Sequence, residues 1–331
     1  MSVFDRNWAD VPDYFLGVTK EIWEDRRIHA LHDYDAAQIV VRSPASVVIG
    51  NDGVIAAKLA TLTEFPDRQL LGEDVIWTDA STAGYGSSHR LISTATHTVN
   101  GVYGAARGKT LRNRTLADCH IQNGVIDDKK LMRDQSATVR QLGTDAESFA
   151  RDLITTEGGA KACVKPLTQM RDVVGPYTGR GNDNPWGQKF SDVLTRMMSA
   201  DMAVVGQRYD RAVMSHFPGG EIGHGWAAID SFWMGLRASF PDAIFAIEHV
   251  IGREDECVAP HATVHWSLNG LHSGWGRFGK PTGAPVHVMG ISHADFGSLG
   301  QADPRIRQEH TLIDETAIWK QIHLHTGLFD D

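Results

Sequence analysis

Cysteine is scarce in this chain of 331 residues: Cys119, Cys163 and Cys257 stand far apart and in no repeating pattern. An odd number at such spacings supplies neither a disulfide framework nor a Cys-x-x-Cys metal site, so free thiols are expected. No block of Lys or Arg occurs, and the net charge is -9 with a pI near 5.9. The basic footprint that binding to a nucleic-acid backbone requires is therefore missing. Apolar runs stay short of the roughly 18 residues that a helical membrane span needs. The segment Met1 to Trp8 has no basic stretch leading into an apolar core, so no secretory leader is expected and the cytoplasm is the expected compartment. The glycine-rich pieces Gly101 to Gly108 and Gly274 to Gly283 lack the strand-to-helix setting and the Lys-Ser/Thr ending of a phosphate loop, and read as hairpin turns. There is no Gly-x-Ser-x-Gly elbow, so a serine hydrolase is not supported.

What is present is a repeat. Near the C-terminus runs His261, Trp266-Ser-Leu-Asn-Gly-Leu-His272, Phe278-Gly-Lys-Pro-Thr-Gly283 and Asp314-Glu-Thr-Ala-Ile-Trp-Lys-Gln321. A weaker copy ends the first half, with His89, His97, Gly104, Gly108, Asp134 and Gln141. In both copies an Asp closes a strand-like run and a Gln follows seven residues later. A length of 331 residues already suits two domains better than one. The repeat predicts domains over 10–143 and 190–327, joined by a turn-rich connection over 144–189 whose Ala146 to Ile154 can form a helix packed across both.

Each half reads as helices followed by strands. Tyr14, Val18 and Ile22 recur at helical spacing after Pro12, with Ile28 and Leu31 continuing the pattern; Ala37 to Ile49 looks extended; and Asn51-Asp-Gly53 is placed to cap a second helix. Strands are expected over 70–77, 89–98, 110–121 and 126–133. The second half opens with a helix from Phe190 to Tyr209, then one carrying Trp226, Ile229, Phe232, Trp233 and Leu236. Phe240-Pro-Asp242 echoes Phe65-Pro-Asp67, and strands follow over 243–251, 261–271, 285–296 and 305–313. Helices covering the concave side of a curled antiparallel sheet, twice over, make an α+β fold in which each covered sheet encloses a pocket.

These motifs resemble the SnoaL-like polyketide cyclase branch of the nuclear transport factor 2-like superfamily. The resemblance implies two tandem cone-shaped domains forming an intramolecular version of the family's usual homodimer, with further association between copies left open. It also implies a hydrophobic small-molecule ligand and no cofactor. The Asp at the position of Asp134 and Asp314 is the implied acid/base, with a His fourteen positions earlier. The first half keeps that spacing in His120; in the second, the inserted loop 297–304 shifts the count and puts Asp295 there.

A cyclase of this kind takes a proton from carbon beside a carbonyl and returns it, which a carboxylate does at neutral pH only if burial raises its pKa. Asp314, Asp134, His120, His272 and His293 are the candidate catalytic residues; His97, His310, Asp295, Trp266 and Asn269 are the candidate ligand contacts. Strand alternation puts Asp134 on a face with Lys130, which would hold it ionised, and His293 with Asp295 on an apolar face where they could form a polar patch in a cavity. His97 and His272, ending equivalent strands, are expected to share the pocket side. The bland reading of each is a strand-end carboxylate or a hydrogen-bonded buried histidine. Trp226, Trp233, Trp266, Trp275 and Trp319 are expected mainly in the core. The many histidines of the second half suggest a metal, but pairs four apart on a strand, such as His261 and His265, lie on the order of 13 Å from each other, so a shared ion would need different strands. No metal is expected. The second half is the favoured place for the site. Three readings remain: a cofactor-free proton-transfer enzyme of cyclase, isomerase or dehydratase type; a non-catalytic binding or scaffolding protein; and a metal-dependent enzyme using cross-strand histidines.

Overall fold

The computed structural model describes residues 8–79, 84–297 and 303–327. The first unit runs α1 (Val11–Trp23), α2 (Leu31–Tyr34), β1 (Asp35–Ser43), β2 (Ser46–Ile49), α3 (Asn51–Glu64), β3 (Gln69–Trp77), β4 (Tyr85–Thr96), β5 (Thr110–Gln122), β6 (Val125–Arg133) and α4 (Gln135–Gln141). Helices α5 (Ala146–Thr156) and α6 (Gly159–Ala162) follow. The second unit runs α7 (Pro185–Met198), α8 (Ala203–Arg208), β7 (Tyr209–Phe217), β8 (Glu221–His224), α9 (Trp226–Ser239), β9 (Ile244–Asp255), β10 (Val258–Leu271), β11 (Pro285–Phe296), β12 (Ile306–Ile313) and α10 (Glu315–Thr326).

The two sheets have the same topology, β2-β1-β6-β5-β4-β3 and β8-β7-β12-β11-β10-β9. All neighbours are antiparallel except β1 with β6 and β7 with β12, which run parallel. The chain is thus two α+β units, each of helices on a six-stranded sheet. Amphipathic α1, with Tyr14, Phe15, Val18 and Ile22 buried, lies against β3, and α7 lies against β9 and β10. Period-two alternation then divides each strand between two cores. On β12, Ile313 joins the core that the second unit makes with its own helices, while Leu312 meets Leu116, Met132, Met289 and Ile291 between the two sheets.

Several local expectations change. The helix expected from Phe190 to Tyr209 is broken: α7 ends at Met198, Ala200 takes φ 65°, and Tyr209 already begins β7. Strands β7 and β8 were not expected, because the charges of Tyr-Asp-Arg-Ala-Val-Met-Ser-His-Phe obscure its alternation and β8 is a four-residue exposed edge. Gly50, at φ 90°, is the N-cap of α3 rather than Asn51. Trp275 is exposed, not part of a core. Of the loop expected over 297–304, residues 298–302 lie outside the described residues, as do residues 1–7 of the N-terminal segment. Among the described residues no helix is long and apolar enough to cross a membrane.

Candidate functional site

The Asp and Gln of each repeat have a clear structural task. Asp134 accepts from Ala137 N–H at 3.0 Å and caps α4; Asp314 accepts from Thr316 and Ala317 N–H at 2.9 and 3.1 Å and caps α10. A cap of this kind stabilises a helix by about 1 kcal/mol. Two turns on, the Gln141 amide bonds both N–H and C=O of Arg112, and the Gln321 amide does the same at His287. Each Gln side chain thereby imitates a strand partner and locks its helix to the sheet.

Beyond the caps the two aspartates differ. The turn between β7 and β8 brings Gly219 and Gly220 N–H to Asp134, at 2.7 and 2.9 Å, so both of its oxygens are occupied. The equivalent turn of the first unit is Ser43-Pro44-Ala45, and it donates nothing to Asp314. Asp314 Oδ1 takes the helix N–H groups, and Oδ2 has no hydrogen-bond partner among the described residues. Burial pushes both carboxyls up against the pull of their N–H donors, and that of Asp314 reaches about 7, with Asp134 and Glu315 adding to the rise.

Asp314 opens into a cavity of about 590 Å³ between the mouth of the first unit and the start of α10. Phe65, Tyr103 and Leu131 form apolar walls, and Arg68, Arg133 and Lys320 supply positive charge. Lys320 is paired with Glu157 at 2.5 Å. The candidate site is therefore shared: the carboxyl comes from the second unit and most of the walls from the first. The interior of the second unit, the favoured location from sequence, is occupied instead. Trp233, Trp266, Phe240, Phe278 and Tyr209 are fully buried there, and Glu309 accepts from Tyr209 Oη at 2.6 Å, Trp233 Nε1 at 3.0 Å and Thr311 Oγ1 at 2.7 Å.

The other candidate residues disperse. His97 is buried behind the cavity wall against Phe65 and Tyr103, with Nε2 3.6 Å from Glu64. His272 bonds Thr282 Oγ1 through Nδ1, inside the second unit. Trp266 is core, donating to Ser292 Oγ at 2.9 Å, and Asn269 pairs with His287 Nδ1 at 2.6 Å. His120, His293, Asp295 and His310 all lie between the sheets. His120 bonds Asp127 and stacks on Tyr177; His293 Nε2 meets Ser88 Oγ at 2.7 Å; Asp295 accepts from Arg90 at 3.2 Å; His310 stacks on His216. The polar patch expected from His293 and Asp295 is thus part of the sheet-to-sheet contact, because odd-numbered residues of β11 point across it. Lys130, expected beside Asp134, pairs with Asp128 at 3.3 Å.

Among the described residues, Asp74, His261 and Asp295 bring donor atoms within 4.8 Å of one another, drawn from three strands. Arg90 already stands among them, 3.9 Å from Asp74 and 3.2 Å from Asp295, and supplies the positive charge a cation would bring.

Sequence reasoning missed Arg68 and Arg133. A signal existed: where the first copy has Phe65-Pro-Asp-Arg68 and Arg133-Asp134, the second has Phe240-Pro-Asp-Ala243 and Ile313-Asp314.

Residues 188–302 match the model of the SnoaL-like domain family. No curated protein matches the chain. Among solved structures, IdmH of Streptomyces antibioticus is 16% identical, with a TM-score of 0.36 over 41% of this chain and 100% of its own. A SnoaL-like polyketide cyclase from Agrobacterium tumefaciens is 16% identical, with a TM-score of 0.33 over 40% of this chain and 97% of its own. The match to the SnoaL-like domain family lies in the second unit, and the first unit repeats that unit's sheet strand for strand, so that the chain is a tandem of two units of one topology.

Proposed function

We propose that the shared cavity binds a largely apolar, carbonyl-bearing small molecule and that Asp314 moves a proton on it, without a cofactor. The observation that carries this reading is the unoccupied Oδ2 of Asp314 facing a 590 Å³ cavity, where its counterpart Asp134 is closed by Gly219 and Gly220. Ionised Asp314 takes a proton from the carbon beside the carbonyl, and the C–H electrons pass to the carbonyl oxygen as an enolate. The protonated carboxyl then returns the proton to carbon, to the alkoxide oxygen that forms when the enolate carbon adds to a second carbonyl, or to a leaving oxygen. Isomerisation, ring closure by attack of the enolate carbon on a second carbonyl, or dehydration are the outcomes available to that one step. A carboxyl titrating near 7 is suited to both halves of the cycle at neutral pH. His97, behind the wall, is a positioning residue for Glu64 and Tyr103 rather than a catalytic one.

The test is solvent deuterium incorporation into a panel of apolar 1,3-dicarbonyl compounds. The wild-type protein accelerates exchange in those that bind, and Asp314→Asn, which retains a cap-forming oxygen, loses a factor of about 10² to 10⁴. Asp134→Asn retains the exchange. Probe binding with no acceleration by the wild-type protein would favour the second reading, a non-catalytic binder. That reading draws on the filled interior of the second unit, which marks that half as structural.

A further inference from the structure

The cavity holds two guanidinium groups that have no acidic partner among the described residues. Arg68 is only 7% exposed, and its Nε is buried without a hydrogen-bond acceptor. Its one side-chain contact of note is with the Trp23 ring, 5.0 Å away. Arg133 ends β6, lines the same cavity, and forms no ion pair among the described residues. Burial and mutual repulsion lower the Arg68 guanidinium to about 10. The carboxylates around them are committed elsewhere: Glu157 to Lys320, and Glu64 to the Tyr103 N–H at 3.0 Å. Among the described residues, Asp314 lines the cavity with them without a basic partner, and burial raises its carboxyl to about 7.

Burying charge without a partner is costly, and leaving two like charges together is costlier. The pseudo-equivalent mouth of the second unit is built differently. Ala243 and Ile313 replace the two arginines, and Arg277, entering from the loop, is neutralised by Glu315 at 2.7 Å and Glu221 at 3.1 Å. The aromatic frame is common to both mouths: Phe65 with Tyr103 and Phe240 with Phe278 have centroids 5.6 Å apart. The arginine pair is therefore an addition confined to the open mouth.

We propose that Arg68 and Arg133 form a carboxylate-binding subsite, so that the ligand of this cavity is an organic acid with an apolar, ring-sized body against Phe65, Tyr103 and Leu131. A planar guanidinium fork matches a carboxylate with two parallel hydrogen bonds. A monoanion fits better than a phosphate dianion, which the nearby Asp314 would repel. The inference deepens the proposed function by naming its ligand class, but the subsite does not depend on proton transfer at Asp314.

The experiment measures binding of 1-hydroxy-2-naphthoate, its methyl ester and inorganic phosphate to the full chain by calorimetry. The acid is expected to bind at least tenfold more tightly than the ester, with phosphate failing to compete at equal concentration. Because Arg68 also lies over Trp23, Arg133→Gln is the decisive variant, with folding checked by circular dichroism; it should remove most of the preference for the acid. Asp314→Asn should keep that preference even where it abolishes exchange, which separates failure of the catalytic reading from failure of this one. Equal binding of acid and ester, tighter binding of phosphate, an unchanged preference in folded Arg133→Gln, or no binding of the acid below about 10 mM would each overturn the proposal.

Discussion

Gly219 donates its backbone N–H to Asp134 Oδ1 at 2.7 Å, tying the β7–β8 turn of the second unit to the α4 cap of the first. Gly219 has φ 85°, and a Cβ placed there would run into the Arg140 guanidinium. Asp134→Ala removes the cap and leaves the part-buried N–H groups of Gly219 and Gly220 without their acceptor, so it should cost about 1–3 kcal/mol in urea unfolding. Gly219→Ala should be destabilising as well, through strain and the displaced Arg140. A loss under 0.5 kcal/mol for Asp134→Ala would show that the contact between units does not depend on this carboxylate.

Asp314 should give stability an unusual dependence on pH. Its folded pKa, about 7, lies above the ordinary value of 3.8. Between these two values the folded chain holds a proton that the unfolded chain has released. The stabilisation linked to that proton is full below about pH 4 and is lost as pH rises through 7, to a limit of about 4 kcal/mol. Asp314→Asn should lose this falling component in denaturation curves at pH 5, 6 and 7.5, while keeping the cap. An unchanged slope would show that Asp314 is ionised throughout.

His265 should act with the opposite sign. It is 7% exposed, neither ring nitrogen has a hydrogen-bond partner among the described residues, and it faces a second cavity of about 420 Å³ beside Lys130, His249 and His287. Burial, with Lys130 and His249 adding repulsion, holds it well below the ordinary 6.5. Its neutral form contributes stability above pH 6.5, which is lost as pH falls and the unfolded chain takes up the proton. His265→Leu should therefore flatten the acid limb by up to about 1.4 kcal/mol per pH unit, and at pH 7 should be neutral or stabilising. Marked destabilisation at pH 7 would reveal a polar role for the ring.

The core of the second unit should depend on every donor to Glu309. Tyr209→Phe removes the shortest of these bonds and leaves a fully buried carboxyl less satisfied. The expected cost is about 1–3 kcal/mol by thermal or urea unfolding, with exchange activity retained if the site lies at Asp314. Loss of activity at full stability would move the site into this interior.

Much of the fold was legible in the residues because its signals are local. Asp134 with Gln141 and Asp314 with Gln321 repeat because a cap and a sheet-locking amide must lie on successive turns of one helix. Gly104 and Gly108, like Gly279 and Gly283, repeat because they take positive φ in the hairpin after His97 or His272. Strand β8 was hidden because it is a short, exposed sheet edge on which no packing pattern is imposed, and β7, though paired on both sides, because its Asp210 and Arg211 interrupt the apolar alternation.

The sequence by itself determined two copies of one α+β unit, the places of their caps and turns, and the pair of aspartates that end the last strands. Only the tertiary structure decided which aspartate is open. That depends on the turn of the opposite unit, Gly219-Gly220 at Asp134 and Pro44-Ala45 at Asp314, residues far away in the chain. It also sent His293, Asp295 and His310 into the contact between the sheets and gathered Arg68 and Arg133 around one cavity. Alternation along a strand says which residues share a face, but not whether that face meets a helix or another sheet. That choice is made when the two units bury their remaining apolar surface against each other.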